Sequence, residues 1–404
     1  MGRDQTENPP IIGLTGSFGS GCSYIARHIL SGLGYQSRSL SEQLKKEYCT
    51  AKGTDDLAKV PRKAMQDYGD ELRSTNGGEY LARKVIETIS ENGDSGTKTG
   101  WVIDSIRNPE EIHFLREKFP NFFLFGVYAS RDRRWERIKD DKYHRNRGDF
   151  EQDDERDTGR HSDGTGQRVE DCFAEADVVI ANDTDFAAVN NSDFESFKGR
   201  LGGYIDRISN RLSRQQPTES ESLMAAAYTV SQRSSCLKRK VGAVIADDCG
   251  NIISSGFNEV PEGERPCIKK FTTCGRTRQR EEFETLLKRE FGDKPDACEV
   301  ILAYVRDKIR MLDQCRALHA EENAIVNLAR NGRSVPLDRC TLYSTTYPCR
   351  LCANKIVNLG LQRVVYLEPY PDPEAKYIFQ DKVKDSFFEG ITFKAYSRIY
   401  GERK

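Results

Sequence analysis

Short apolar runs alternate with helical patterns along the first half of the chain. The first run, Ile11–Leu14, passes into a glycine-rich segment, and apolar residues then recur with helical spacing at 25, 26, 29 and 30. Three later runs have the length and composition of buried strands, at 101–104, 122–129 and 176–183. Strands that alternate with helices predict a parallel α/β sheet for this half.

The second half begins with a predicted helix cap and then mixes strands with helices. Thr218–Glu221 precedes the apolar run Leu223–Tyr228, which is the pattern of a capped helix start. Further helices are predicted to begin at His319 and at Cys349. Strands are predicted at 241–246, 251–258, 340–346 and 363–367.

Polar stretches interrupt this pattern at two places. Gly202–Gly203 and the run 213–220 mark a boundary, so we expect one domain at 1–205 and a second at 217–404. A chain of 404 residues is also too long for one ordinary compact domain. The segment 149–167 has almost no apolar residue to offset its ordering entropy, so we expect a mobile insertion at a lid position.

The amino-acid composition is typical of a polar protein, and we expect its cysteines to be reduced. Hydrophobic residues make up 37% and charged residues 31%, no apolar run reaches the length of a membrane span, and the first residues lack a signal-peptide pattern. We therefore expect a cytoplasmic protein that does not enter a membrane, with its twelve cysteines present as thiols or metal ligands. The net charge of −1 gives no overall attraction to nucleic acid.

His319, Glu321, Cys349 and Cys352 form the most specific chemical pattern in the chain. One imidazole and two thiolates at this spacing can hold a zinc ion and leave its fourth position to water, the arrangement of a catalytic zinc. Glu321 lies two residues beyond the histidine, where a carboxylate can serve as general base and then as general acid. Two other interpretations stay open: a packed helix histidine, and a redox or four-cysteine zinc site at the Cys-x-x-Cys pair.

The order His-x-Glu followed by Pro-Cys-x-x-Cys resembles the zinc-dependent deaminases. Three further motifs are similar to those of deoxycytidylate deaminases: R-S-x-C at 233–236, V-G-A-V-I at 241–245, and G-x-N at 256–258 with a following Pro261. The resemblance implies a cytidine-deaminase-like α/β/α sandwich with a mixed sheet, in which Asn258 hydrogen-bonds the sugar of the substrate and backbone around Ala320 contacts the base edge. The other interpretation of Asn258 is a turn residue after a strand. For Tyr370, which follows the strand at 363–367, stacking on the base and simple packing are both open.

The glycine-rich segment Thr15–Ser23 has the strand, loop and helix order of a P-loop. Gly16 and Gly21 fit the two template glycines, Ser20 lies between them, and Ser23 falls where a magnesium-binding hydroxyl belongs. Cys22 occupies the position of the usual lysine, so the loop can bind phosphate through backbone N–H groups but lacks the cation that phosphoryl transfer needs.

With Asp104 as the acidic residue after a later strand, these stretches resemble the P-loop nucleotide and nucleoside kinases over most of residues 9–200. The resemblance implies a P-loop nucleotide-kinase-like parallel sheet and a nucleotide bound with Mg²⁺. The helix that carries Arg131, Arg133, Arg134 and Arg137 is either a solvated face or a lid that contacts phosphates.

A cysteine-containing insertion separates Asn258 from His319. It opens with the run 265–280, which has six basic residues and no acidic one. A second, structural zinc is one hypothesis for four cysteines of this region, namely Cys267, Cys274, Cys298 and Cys315. The basic cluster has three open interpretations: it binds nucleotide phosphates, it binds an RNA regulator, or it is solvated.

The joined architecture resembles the bacterial antiphage deoxycytidine-nucleotide deaminases. That resemblance implies conversion of dCTP and dCMP to deoxyuridine nucleotides, a homo-oligomer such as a hexamer, and in some members an inhibitory RNA. Two alternatives are a cytidine deaminase that acts on polynucleotides and a nucleotide-sensing switch or interaction module whose P-loop domain is the main functional unit.

Overall fold

The computed structural model describes residues 9–54, 56, 60–91, 100–140, 146–158, 167–183, 192–209, 216–291, 294–308, 315–332, 335–368 and 373–401. The chain divides into two compact units, the first formed by Met1–Glu221 with Phe388–Lys404 and the second by Ser222–Phe387. The expected domains, 1–205 and 217–404, place the carboxyl-terminal segment in the second domain, whereas in the structure this segment belongs to the first unit.

A six-stranded sheet forms the centre of the first unit. Its strands are β1 Ile11–Thr15, β2 Gln36–Ser39, β3 Trp101–Asp104, β4 Phe122–Tyr128, β5 Val178–Ala181 and β11 Gly390–Ile391. In the order β11-β5-β4-β1-β3-β2, neighbouring strands are parallel except for β11, which pairs antiparallel with β5. The predicted parallel sheet is confirmed. The polar strand β2 and the two-residue strand β11 lack an apolar run and were not predicted.

Helices surround this sheet, so β1 and nearly all of β4 are buried and read as continuous apolar runs. The helices are α1 Cys22–Tyr24, which continues as a π-helical segment Ile25–Leu30, α2 Leu40–Lys52, α3 Arg62–Asn76, α4 Tyr80–Glu91, α5 Pro109–Lys118, α6 Arg131–Ile138, α7 Arg147–Thr158, α8 Val169–Ala174, α9 Ser192–Ser209 and α17 Phe393–Tyr400. A further helix, α10 Glu219–Ser231, spans the boundary between the units. Its predicted cap is confirmed, because Thr218 Oγ1 accepts from Glu221 N and Glu221 Oε2 accepts from Thr218 N.

Helix α7 covers residues 149–158 of the segment that was expected to be a mobile insertion, and an ordered helix there was not predicted. The rest of that segment before Gln167 lies outside the described residues. Asp154 and Asp157 of α7 are buried, and they bond to Arg134 and to Arg62 respectively. Together with the fully buried Phe150, these ion pairs hold a helix that is otherwise polar.

The second unit contains a mixed five-stranded sheet. Its strands are β6 Gly242–Ala246, β7 Ile252–Phe257, β8 Thr341–Ser344, β9 Arg363–Tyr366 and β10 Lys384–Phe387. In the order β10-β9-β8-β6-β7, β6 is antiparallel to both of its neighbours, while the pairs β8–β9 and β9–β10 are parallel. The mixed sheet and four of its strands agree with expectation, whereas β10, in which charged and polar residues predominate, was not predicted.

The helices of this unit are α11 Cys267–Lys270, α12 Gly275–Glu290, α13 Pro295–Lys308, α14 Ala320–Arg330, α15 Arg350–Leu359 and α16 Pro373–Phe379. Helix α14 packs closely on β7 because Gly256 has no side chain. A Cβ atom at Gly256 would lie 2.3 Å from both Ala320 O and Ala324 N. This close approach fixes the beginning of α14 against the sheet. None of the described helices is long and apolar enough to cross a lipid bilayer.

Candidate active site

His319, Cys349 and Cys352 meet at the beginnings of two helices. His319 is the N-cap residue of α14, and Cys349 is the N-cap residue of α15, as the sequence predicted. His319 Nδ1 lies 3.3 Å from Cys349 Sγ and 3.4 Å from Cys352 Sγ. Two thiols and an imidazole in mutual contact are the donor set that zinc prefers, and three protein ligands leave one coordination position for another molecule. The residues present therefore fit a catalytic zinc ion.

The surroundings of Cys349 favour its ionised form, which is the form that binds a metal. A hydrogen bond from Cys352 lowers the pKa of the Cys349 thiol, and the nearby His319 ring acts in the same direction. The beginning of α15 adds a partial positive charge at the same place.

Glu321 is buried beside these three residues, with 3% of its surface exposed. Its Oε1 accepts a hydrogen bond from Ser344 Oγ at 3.2 Å, and its Oε2 lies 3.6 Å from Cys352 Sγ. Burial raises the pKa of Glu321 above its ordinary value. A carboxyl group with a raised pKa next to a metal site can both accept and return a proton near neutral pH.

The side-chain amide of Asn258 is engaged with backbone groups of the protein. Asn258 Oδ1 accepts from Val241 N at 2.7 Å, and Nδ2 donates to Arg239 O at 2.8 Å. The R-S-x-C motif supports the same turn, because Ser234 Oγ donates to Asn258 O at 2.6 Å. In this structure Asn258 holds the loop before β6 in place, and its predicted sugar contact stays a prediction.

Of the two other predicted substrate contacts, the structure describes Ala320 but not Tyr370. Ala320 is fully buried at the first turn of α14 and packs against Gly256. Tyr370 lies outside the described residues. Ser344 was missed by sequence reasoning, since a single serine at the end of a strand carries no recognisable signal.

The four cysteines of the insertion are not gathered into one site. Where the structure describes the chain, the groups of ligand atoms within 4.8 Å of one another are His319–Cys349–Cys352 and Asp247–Asp248–Cys249. Cys274 is the N-cap residue of α12, Cys298 is buried on α13, and Cys315 makes a hydrogen bond with His319. The structure therefore gives no support to the predicted second zinc at these cysteines.

The glycine-rich loop of the first unit is held by arginines of α6. Arg134 Nη1 donates to Phe18 O at 3.0 Å, and Arg137 Nη1 donates to Gly19 O at 3.2 Å. Gly19 and Gly21 have positive φ angles of 81° and 98°. The arginine helix thus braces the loop through its carbonyl groups, which makes it more than the solvated face considered from the sequence.

Loop positions that would contact phosphate lack a side-chain cation. Burial raises the pKa of Cys22 to about 11, so this thiol is neutral at physiological pH. Its Sγ lies 3.5 Å from Ser20 Oγ.

Asp104, at the end of β3, is fully buried, and neither of its carboxylate oxygens has a hydrogen-bond partner. Gly16 permits the loop to pass close to β4, because a Cβ there would lie 2.4 Å from Val127 O.

Comparison with known proteins gives matches in the region of the His319 site. The family model described as "Cytidine and deoxycytidylate deaminase zinc-binding region" matches residues 217–368. The deoxycytidylate deaminase of Enterobacteria phage T4 is 33% identical over 159 residues, which are 38% of this chain and 79% of that protein. The deoxycytidylate deaminase of Mycobacterium phage D29 is 32% identical over 151 residues, which are 37% of this chain and 95% of that protein. A crystal structure of dCMP deaminase from the cyanophage S-TIM5 aligns with 43% of this chain and 100% of its own at 22% identity, with a TM-score of 0.28.

Proposed function

Because the chain belongs to the deoxycytidylate deaminase family, we propose that it converts free deoxycytidine nucleotides, dCMP and dCTP, to the corresponding deoxyuridine nucleotides. The observation that carries this proposal is the buried carboxylate of Glu321 beside the His319, Cys349 and Cys352 donor set. These four residues provide the metal ligands and the proton carrier that hydrolysis of an amidine needs.

His319, Cys349 and Cys352 would hold the zinc ion. When bound there, zinc lowers the pKa of water and so makes a nucleophile available near neutral pH. Hydrolysis forms a C4–O bond and breaks the C4–N4 bond of cytosine. Glu321 carries one proton of the attacking water to N3 of the ring and the other to the departing amino group, which leaves as ammonia. The raised pKa of Glu321 suits this exchange in both directions.

A substitution at Glu321 tests the assignment directly. Glu321→Gln keeps the size of the side chain and removes the proton carrier, so zinc content should be unchanged while turnover of dCMP falls by roughly 10²–10⁴-fold. Ammonia release and zinc content are measured on the same purified protein. Substantial dCMP deamination by the zinc-loaded variant would rule out this role for Glu321.

The choice of substrate separates the main proposal from a polynucleotide deaminase. The net charge of −1 supports free nucleotides as substrates. The experiment compares initial rates with dCMP, dCTP, cytidine and single-stranded DNA at equal cytosine concentration. Turnover of single-stranded DNA that exceeds turnover of both nucleotides would favour the alternative.

In the first unit, the loop at Gly16–Ser23 is proposed to bind a nucleotide with Mg²⁺ and thereby to regulate deamination. The unpaired, fully buried carboxylate of Asp104 supports a cation nearby, because an isolated buried charge is costly. Gly16→Ala should disrupt nucleotide binding, since its Cβ would meet backbone at 2.4 Å. Gly32→Ala is the matched control, because nothing lies within 4 Å of a Cβ there.

We also propose an antiphage role, a homo-oligomer such as a hexamer, and an inhibitory RNA. These proposals rest on the resemblance of the joined architecture to the bacterial antiphage deoxycytidine-nucleotide deaminases. Arg278 and Arg316 lie 4.5 and 5.3 Å from the centre of the Phe271 ring, but they pair with Glu282 and Glu264 respectively, so these contacts do not by themselves support an anionic partner. Bacteria that express either the natural chain or Glu321→Gln are challenged with phage while their dCTP pool is measured. Protection that persists in the variant would contradict a defence based on depletion of deoxycytidine nucleotides.

A further inference from the structure

The segment between β8 and α15 brings two thiols into the candidate active site. It comprises residues 345–348, all of which are buried, and it ends at Cys349, the N-cap residue of α15. Cys352 lies in the first turn of the same helix. A displacement of this segment therefore moves both thiols relative to His319 Nδ1, from which their sulfur atoms lie 3.3 and 3.4 Å away.

Backbone hydrogen bonds fix the beginning of the segment. Thr345 N donates to Gly242 O at 2.9 Å, and Gly242 N donates to Thr345 Oγ1 at 3.1 Å, so this end is tied to β6. The last residue of the segment, Pro348, has no N–H group to donate. Side-chain contacts therefore matter more at the end that adjoins Cys349.

Tyr347 lies at that end, packed within an aromatic cluster and only 7% exposed. The centre of its ring lies 4.6 Å from that of Tyr366 in an edge-to-face arrangement, and 6.0 Å from that of Phe379. A phenylalanine would fill the same space, whereas a buried hydroxyl is costly unless it is hydrogen-bonded. The hydroxyl of Tyr347 therefore calls for an explanation other than packing.

This hydroxyl donates to Asp385 Oδ2 at 2.8 Å. Asp385 lies in the edge strand β10, opposite Val364 of β9, so the backbone of the sheet holds it in place. A hydrogen bond to a carboxylate is about twice as strong as one between neutral groups. The segment before Cys349 is thus fastened to a strand that lies beyond the matched family region 217–368.

We propose that Tyr347 is a positioning residue of the zinc site, whose hydroxyl, held by Asp385, keeps the thiols of Cys349 and Cys352 turned towards His319. Zinc binds at about 2.3 Å from sulfur and about 2.0–2.1 Å from nitrogen, so a shift of a few tenths of an ångström weakens the site. Residues that orient metal ligands without touching the metal typically contribute roughly 10–100-fold to metal affinity or activity. The inference rests on the proposed zinc-dependent function, but metal binding is measured without any substrate.

The experiment measures zinc affinity of the full-length protein by competition with a chromophoric chelator. Tyr347→Phe keeps the ring and removes only the hydroxyl, and it should weaken zinc binding roughly 10-fold. Asp385→Ala should weaken it to a similar extent, and the double variant should bind no more weakly than either single variant, because all three lack the same bond. Asp385→Asn retains an oxygen that can accept from the hydroxyl and should recover most of the affinity.

Tyr377→Phe is the matched control, because it removes the hydroxyl of a tyrosine that is 77% exposed on α16. It should bind zinc as the natural chain does. Visible absorption of the cobalt-substituted proteins is recorded as well, since the bands follow the geometry of the ligands. Tyr347→Phe should alter these bands, whereas Tyr377→Phe should leave them unchanged.

Thermal unfolding of every variant separates positioning from stability. Natural zinc affinity and cobalt bands in both Tyr347→Phe and Asp385→Ala would overturn the proposal, even with a lower midpoint of unfolding, because a merely structural bond gives that result. Additive losses in the double variant would also overturn it. If Asp385→Ala fails to fold, the comparison of Tyr347→Phe with Asp385→Asn decides. A natural chain that binds zinc but does not turn over dCMP would contradict the proposed function and leave the test of Tyr347 intact.

Discussion

The hydroxyl of Ser344 donates a hydrogen bond to the carboxylate of Glu321 across 3.2 Å, and both residues are buried. The backbone N–H of Thr346 approaches the same hydroxyl oxygen at 3.5 Å. Ser344 therefore uses its single proton towards Glu321, which restrains the carboxylate and favours its charged form. Ser344 is a positioning residue for the proposed proton carrier.

Ser344→Ala should lower kcat for dCMP by about 10-fold, because a hydrogen bond to a charged group contributes roughly 1.5–3 kcal/mol. KM and zinc content should change little, since the residue contacts neither the substrate nor the metal ligands in the proposed mechanism. Steady-state kinetics and metal analysis check this. Ser344→Thr retains a hydroxyl and should recover most of the lost kcat. Equal kcat values for Ser344→Ala and the natural chain would show that the bond has no role in turnover.

Gly256→Ala should damage the site without touching any functional side chain. The new Cβ would lie 2.3 Å from backbone atoms at Ala320 and Ala324, so α14 must move away from β7. Overpacking of this kind typically costs about 1–3 kcal/mol, and here it also displaces His319 and Glu321. Zinc content and the midpoint of thermal unfolding should both decrease. Gly360→Ala, where nothing lies within 4 Å of a Cβ but φ is +88°, separates backbone strain from crowding.

Asn258→Ala should destabilise the second unit as well as affect substrate binding. Its amide bridges Arg239 O and Val241 N, and the loss of these two partly buried hydrogen bonds costs about 1–3 kcal/mol. Asn258→Asp keeps the acceptor for Val241 N but turns a carboxylate oxygen towards Arg239 O. Denaturant unfolding and KM for dCMP are measured together. A raised KM with unchanged stability would support a direct sugar contact over the bridging role.

Removal of zinc should lower stability and abolish activity together. A metal that binds only the folded chain adds its binding free energy to the free energy of unfolding. Dialysis against a chelator should therefore lower the midpoint of thermal unfolding, and added Zn²⁺ should restore both the midpoint and dCMP turnover. A chelated protein with full activity would exclude a catalytic zinc.

Acid should weaken the attachment of the carboxyl-terminal segment to the first unit. Burial alone would raise the pKa of Glu221, but hydrogen bonds from Arg207, Ile391 N and Thr218 N outweigh it, so the pKa lies below its ordinary value of 4.5. Since the folded-state pKa is depressed, this stabilisation is fully present above the ordinary pKa and is lost as the pH falls through the lower, folded-state value.

Glu221→Gln should accordingly reduce stability at pH 7 and make the free energy of unfolding less dependent on pH below about 4.5. Urea unfolding at several pH values between 3 and 7 measures both effects. The control Glu71→Gln removes an exposed carboxylate of the same unit and should leave the pH profile unchanged. A Glu221→Gln profile parallel to that of the natural chain would contradict this role.

The sequence by itself determined the chemistry of the second unit and most strands of both sheets. His319 with Glu321, and Cys349 with Cys352, are close in the chain and lie at helix beginnings, so local spacing was enough to predict their grouping. Buried strands such as β4 are visible because both faces of a parallel sheet are apolar.

Only the tertiary structure decided which distant residues complete these sites. Ser344 reaches Glu321 across 23 positions, Tyr347 reaches Asp385 across 38, and Ile391 reaches Glu221 across 170. Hydrogen bonds of this kind leave no periodic trace in the sequence, because a polar residue in a helix or at a strand end is equally compatible with exposure. The bond from Tyr347 to Asp385, the helix α7 and the return of the last residues to the first unit therefore became visible only in the folded chain.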